Sequence, residues 1–316
     1  MRNFMAFLLM SVVLFVLSSC GGISPTPGVP EEKWEGIVER VGGNGQLDSD
    51  GVNYMRNQSQ KILIDSFQVK FVYEKRKGEQ SSMMSSSVNK NTITTTKILR
   101  WRDDVYKDLS SQLYDQFVAL LEKRGHSVVS YRDYLNHADY SMIFEGQKNF
   151  EDTKIDSYLN ACDARTDMCY EWVTATAHDM KLKGGFTGVS AGGDKFAKVI
   201  NELGADVELS IEAQVTFGWD EGNVIVNDVK VRSQIGKVEA KEVWGKTRYF
   251  RDYAGFVNVD TRDIVGEKYA DFPGLWDRVF KDKEVTADHK KFIEGTMGAF
   301  SEVFDAYSTI VAKQYK

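Results

Sequence analysis

An α+β fold, a mainly antiparallel twisted sheet with amphipathic helices packed on one face, is what the sequence predicts, and three stretches predict it. From Val207 to Phe217 apolar and polar residues alternate: Val207, Leu209, Ile211, Ala213, Val215 and Phe217 against Glu208, Ser210, Glu212, Gln214 and Thr216. Period two puts each set on its own face of a strand, and a fully polar face implies an antiparallel sheet with one wetted side. Val105, Leu109, Leu113, Phe117, Leu120 and Leu121 instead recur at three- and four-residue steps, which marks one face of a helix. The same steps over Ile293, Met297, Phe300, Phe304, Tyr307 and Val311 predict a long C-terminal helix. Phe292, Ala299, Val303, Ala306 and Ile310 widen its stripe. A wide stripe packs on a sheet, whereas a two-stranded seam is narrow.

The remaining elements follow in order. Ile62 to Tyr73 is rich in β-branched and aromatic residues and reads as a strand, with Leu63, Phe67, Val69, Phe71 and Tyr73 on one face. Gly78 to Asn91 is serine-rich with nothing to bury, and Thr92 to Trp101 is a second β-like run, so a hairpin with a long mobile tip is expected. Asp103 caps the first helix and Gly125 closes it in the left-handed conformation. Val128 to Tyr131 suggests a short strand, and Tyr131 to Tyr140 a short helix. Asp194 caps a helix that closes at Gly204. Asp220-Glu221-Gly222 turns the chain, Asn223 to Arg232 returns, and Lys237 to Val243 is expected to pair next. Thr286 caps the last helix.

At 316 residues, 42% hydrophobic and 27% charged, the chain has the composition of a folded globular protein. A net charge of −6 argues against a nucleic-acid partner and against adsorption of the whole body on anionic lipid.

The N-terminus is different in kind. Arg2 precedes an uninterrupted apolar run, Phe4 to Leu17, too short to span a membrane at ~20 residues and of the length of a secretion-signal core. Leu17-Ser18-Ser19-Cys20, followed by Gly21 and Gly22, resembles the lipobox of bacterial lipoproteins. The resemblance implies cleavage after residue 19 and acylation of the Cys20 sulfur, whose thiolate is the nucleophile the modification needs. Several acyl chains then hold the chain at a bilayer where one would hold it marginally. Gly21, where aspartate would favour retention at the inner membrane, points to the outer membrane, facing the periplasm. Residues 20–60 hold Pro25, Pro27 and Pro30, three of only four prolines, and many glycines. They read as a flexible tether spanning ~35 Å, in which Glu31 to Val41 is a candidate short helix. The domain boundaries are therefore 1–19 signal, 20–60 tether and 61–316 one α/β domain.

Cys162 and Cys169 enclose six residues. In an oxidising envelope such a pair is most simply a structural disulfide contributing ~2–3 kcal/mol, because a redox pair would be C-x-x-C and a metal site would need further ligands.

Catalytic patterns are weak. Gly188-Val189-Ser190-Ala191-Gly192 matches the nucleophile-elbow pattern, but Lys181 to Thr187 before it is no buried strand, and His289 is the only later histidine. Gly188 and Gly193 have phosphate-loop spacing, but Asp194-Lys195 stands where Lys-Ser/Thr is required. Glu208 and Glu212 share a strand face ~13 Å apart, too far for a paired-carboxylate site, with Lys230 and Arg232 placed to offset them. His126, His137, His178 and His289 are scattered without metal-ligand spacing, and His178-Asp179 carries no assigned role. No metal, cofactor or catalytic residue is expected.

The run GGDKFAKVINELGADVELSIEAQVTF, after a lipobox, a tether, a strand and an amphipathic helix, resembles the periplasmic α/β domains of envelope-assembly lipoproteins of the curli secretion channel type. The likeness rests on residues 194–217, where a helix steps through Leu-Gly-Ala-Asp into a strand, and pore formation is not carried over from it. The chain equally resembles many bacterial lipoproteins without an assigned activity. The expectation is a lipid-anchored envelope module that binds another envelope component, a protein by preference, through the wet sheet face with Trp219 and Trp244 near its edges. The rival expectation is a hydrolase of an envelope polymer working with acids that the sequence does not pair.

Overall fold

The computed structural model describes residues 38–41, 49–57, 60–79, 92–98, 100–144, 148–153, 162–163, 168–183, 194–218, 222–252, 255–271, 283–285 and 287–312. In chain order the elements are β1 (Val38–Val41), α1 (Ser49–Asn57), β2 (Lys61–Glu79), β3 (Thr92–Ile98), α2 (Asp103–Lys123), β4 (Ser127–Val128), α3 (Tyr131–Leu135), α4 (Tyr140–Ile143), β5 (Phe150–Thr153), β6 (Cys162–Asp163), β7 (Met168–Thr176), α5 (Asp194–Leu203), β8 (Val207–Phe217), β9 (Asn223–Ile235), β10 (Val238–Val243), β11 (Lys246–Arg251), β12 (Gly255–Thr261), β13 (Ile264–Lys268), β14 (Lys283–Val285) and α6 (His289–Ile310). The signal, Cys20, the serine-rich tip at 80–91, the Ser190 loop, Trp219 and Thr286 lie outside the described residues.

The fold is α+β, with a mixed, mostly antiparallel sheet ordered β1-β12-β9-β8-β2-β3-β14. β8 pairs antiparallel with β9 as its alternation implies, but parallel with β2 on its other side. β2 is the backbone of the sheet: β8 runs along its first half, β3 along its second half, and β7 along the opposite edge.

Two aspartates correct the parity of the strands. In β2, Ile64 faces Leu209 and Ser66 faces Ser210, so Asp65 is an extra, bulged residue. Ile62 and Ile64 before it, and Phe67, Val69 and Phe71 after it, therefore join one core, while Leu63 points into a second core on the other face. The expected face of Leu63, Phe67, Val69 and Phe71 thus fails at Leu63. In β9 the bulge is at Asp228, whose φ of +51° suits aspartate better than a β-branched residue. It brings Val224 and Val226 onto the face of Val229 and Val231.

The main core lies between that face and the long helices α2 and α6. Leu109, Leu113, Phe117 and Leu121 are buried as their spacing requires, whereas Val105 and Leu120 are only half-buried. Phe117 meets Phe304 at 4.7 Å and Tyr307 at 5.6 Å between ring centres. α2 begins one residue earlier than expected, with Arg102 at the cap and Asp103 inside the first turn, where its charge suits the helix dipole. It ends at Gly125 (φ +92°): His126 N–H donates to Leu121 O and Gly125 N–H to Glu122 O, which satisfies the last carbonyls. The cap of α6 is Asp288, two residues after the expected Thr286, and its side chain accepts from the Lys291 amide at 3.1 Å. Its C-terminal carbonyls accept from Arg56 Nε at 2.7 Å and His126 Nε2 at 2.9 Å.

Three further differences bear on the site. Part of the expected tether belongs to the fold: β1 pairs with β12, and Val52 and Met55 of α1 are buried. Val38–Val41 is thus a strand where a short helix was expected. Residues 131–143 form two short helices, α3 and α4, which with α5 roof one end of the opposite sheet face over Leu63. The sheet is therefore covered by helices on both sides at that end. Finally, Val238–Val243 does not extend the sheet. Among the described residues β10 pairs only with β11, as a separate hairpin, and β12 takes the place beside β9.

Candidate functional site

The polar face of β8 is less wet than alternation suggests. Beneath α3–α5, the bulged Asp65 carboxylate is buried and accepts a hydrogen bond from Lys183 Nζ through Oδ2. Lys183 also reaches Glu208 Oε1 at 3.4 Å, and Arg251, the last residue of the hairpin, donates to Glu208 Oε2 at 3.0 Å. Two carboxylates and two cations from β2, β8, β11 and the segment after β7 thus meet in one chain. The cross-strand partners expected for the glutamates differ. Glu208 takes Lys183 and Arg251, and Glu212 takes Lys70 at 2.8 Å. Lys230 turns to Asp228, and Arg232 to Asp260.

Burial pushes the Asp65 carboxyl up to about 7; the Lys183 charge opposes this and the Glu208 charge adds to it. Burial disfavours the Lys183 ammonium, but the two carboxylates outweigh it and raise its pKa. Asp65 Oδ1, Tyr134 Oη and Arg251 Nη1 find no hydrogen-bond partner among the described residues. A proton on Asp65 relieves this in part, since it gives the carboxyl a hydrogen bond toward Glu208. The Tyr134 hydroxyl is held far from ionisation by burial and by the Asp65 charge. Tyr140 Oη accepts from the Lys181 amide at 2.8 Å, which fixes the segment carrying Lys183. Chemically, the cluster can share one proton between two acids and bind the base of a hairpin. Its acids converge, but Lys183 and Arg251 already fill the space between and around them.

From that base the β10–β11 hairpin projects. Val238 is buried and Tyr249 packs against the second core, while Asn201 Nδ2 donates to Val238 O at 2.6 Å. Glu239 to Arg248 is exposed throughout. Val243 pairs with Lys246, so Trp244-Gly245 forms a two-residue turn in which both residues have positive φ (+52° and +71°). That turn type favours Asn-Gly or Asp-Gly, and a bulky residue at its first position is strained. Trp244 is 99% exposed.

The other sequence candidates separate. His178 and Asp179 both adopt left-handed conformations. The His178 ring stacks on Tyr131 at 3.8 Å, and its Nε2 bonds Asp115 at 2.8 Å, which ties the turn after β7 to α2 and α3. His137, Asp139 and Glu202 come within 4.8 Å of one another, a grouping that residue spacing does not reveal. The Asp139 amide donates to His137 Nδ1, so Nε2–H donates to Glu202, and Lys198 lies 2.7 Å from Asp139 and 3.7 Å from Glu202. An ammonium already supplies the positive charge there. Cys162 and Cys169 are direct register partners across β6 and β7.

Among the described residues no helix is long and apolar enough to cross a membrane. Comparison with protein-family models, with curated proteins and with solved structures gives no match.

Proposed function

We propose that this chain is an envelope lipoprotein, held at a bilayer through acylated Cys20, that presents the β10–β11 hairpin to another envelope component. The observation that carries the docking role is Trp244. It is strained in backbone and bare to water, and the fold gains no packing from it, so its use lies outside the chain. The clamp of Arg251 on Glu208 fixes the direction in which the hairpin stands. Against the hydrolase reading stands the burial of Asp65 and Glu208 under Lys183 and Arg251, since paired acids working on a polymer must face it.

The test is photo-crosslinking in the intact cell envelope, with a photoreactive residue at position 244 of the full chain and, as control, at the exposed position 290 of α6. An adduct at 244 and none at 290 is expected. Equal yields at both positions, or none at 244, overturn the docking role. Substituting Cys20→Ala is expected to release the protein from the membrane fraction.

A further inference from the structure

We infer that the component met by the hairpin is the bilayer itself: the Trp244 side chain enters the lipid–water interface, giving the domain a second point of attachment beside its lipid anchor. This rests on the anchoring just proposed and names the partner of the same hairpin.

Three observations favour lipid over protein. The large apolar side chains that the hairpin exposes are Trp244 and Val243 at the tip and Phe250 near the base. A stable protein interface needs ~800 Å² from each partner, far more than these three side chains offer. The neighbours of the tip are also interfacial in character. Lys241 and Lys246 stand exposed on the paired strands, and tryptophan with nearby lysines is what the headgroup layer accepts, the ring at the boundary and the ammonium in water. Leaving out Arg251, which Glu208 neutralises, Lys241, Lys246 and Arg248 outnumber Glu239 and Glu242, so the projecting part of the hairpin is net positive in a chain of net −6. The whole body therefore has no attraction for anionic lipid, but this one projection does.

The third observation is reach. β1, at Val38, is already part of the sheet, so the chain from Cys20 to the domain is shorter than a tether ending at residue 60. At full extension it spans roughly 60 Å. A contact too weak to hold a free protein suffices for one already confined to that distance.

The experiment uses the purified, lipidated full chain reconstituted in vesicles of phosphatidylcholine and phosphatidylglycerol, with and without bromine on the acyl chains. The Trp244 fluorescence is the difference between the wild type and Trp244→Phe. Bromolipid is expected to remove roughly half or more of that difference signal, as for a ring at the interfacial boundary. An unquenched difference signal with the protein still on the vesicles overturns this inference and leaves the anchor standing. Shielding of Trp244 from acrylamide that grows with protein density, without quenching by bromolipid, overturns it in favour of a second copy of the chain. Protein that fails to remain with the vesicles overturns the anchor, and the inference with it.

Discussion

Arg251 closes the β10–β11 hairpin by donating to Glu208 at 3.0 Å, and so joins an exposed projection to a buried pair of acids in the body of the sheet. Both side chains are largely buried, so removing Arg251 leaves the buried Glu208 with Lys183 as its one remaining cation partner among the described residues. Arg251→Ala is expected to destabilise the protein by about 2–3 kcal/mol and to raise amide hydrogen exchange through residues 238–251 more than in β8. Uniform exchange across both would contradict the clamp.

Asp65 makes stability depend on pH in a direction opposite to an ordinary salt-bridged acid. Its pKa is raised by burial from 3.8 to about 7, so the folded state holds the proton more tightly than the unfolded chain. The benefit is full below about 4 and is lost as pH rises through about 7. Asp65→Asn abolishes this titration. Denaturant melts at several pH values are expected to show the wild type losing, relative to the variant, on the order of a few kcal/mol between those limits. A difference independent of pH would place the Asp65 carboxyl in an ionised state throughout.

Trp244→Asn is expected to stabilise the isolated fold by roughly 0.5–1 kcal/mol, because asparagine adopts the left-handed turn position that tryptophan resists. A loss of stability measured in thermal melts would mean that the ring serves the fold.

Gly266 and Gly295 mark where β13 crosses α6. A Cβ on Gly266 would sit 2.8 Å from Gly295 O, while one on Gly298 meets nothing within 4 Å. Gly266→Ala is expected to cost about 1–3 kcal/mol through overpacking, and Gly298→Ala to add up to about 1 kcal/mol through helix propensity. Equal effects would contradict the crossing.

Cys162 and Cys169 face each other across an antiparallel pair, where Cα atoms lie ~4.5–5.5 Å apart, within the range a disulfide spans. We propose the bridge on that register. Protein purified without reductant is expected to show no free thiol from this pair, and two free thiols would defeat the bridge.

Periodicity made the frame of the fold legible: β8, α2 and α6 stand where alternation and three-four spacing put them. The bulges were written in the same residues. Ile62 and Ile64 switch to Phe67 and Val69, a parity change that only an extra residue explains, but a single-period template overlooks it. The site was not legible. Asp65, Lys183, Glu208 and Arg251 are far apart in sequence, and a parallel β2–β8 register and a hairpin that leaves the sheet bring them together. Trp244 was expected at an edge of the sheet face, but its place in a two-residue turn was not legible because turn signals favour Asn-Gly, and the residue that departs from the signal is the one to which the docking role is assigned.

Acylation of Cys20 is the chemistry on which the proposed role of the protein depends. Intact mass spectrometry of the protein extracted from its own membranes tests it most directly. The predicted species begins at Cys20 and carries the added mass of diacylglycerol and, where the amine is modified, a further acyl chain. A chain that retains residues 1–19, or one with an unmodified Cys20 recovered in the aqueous fraction, would contradict it.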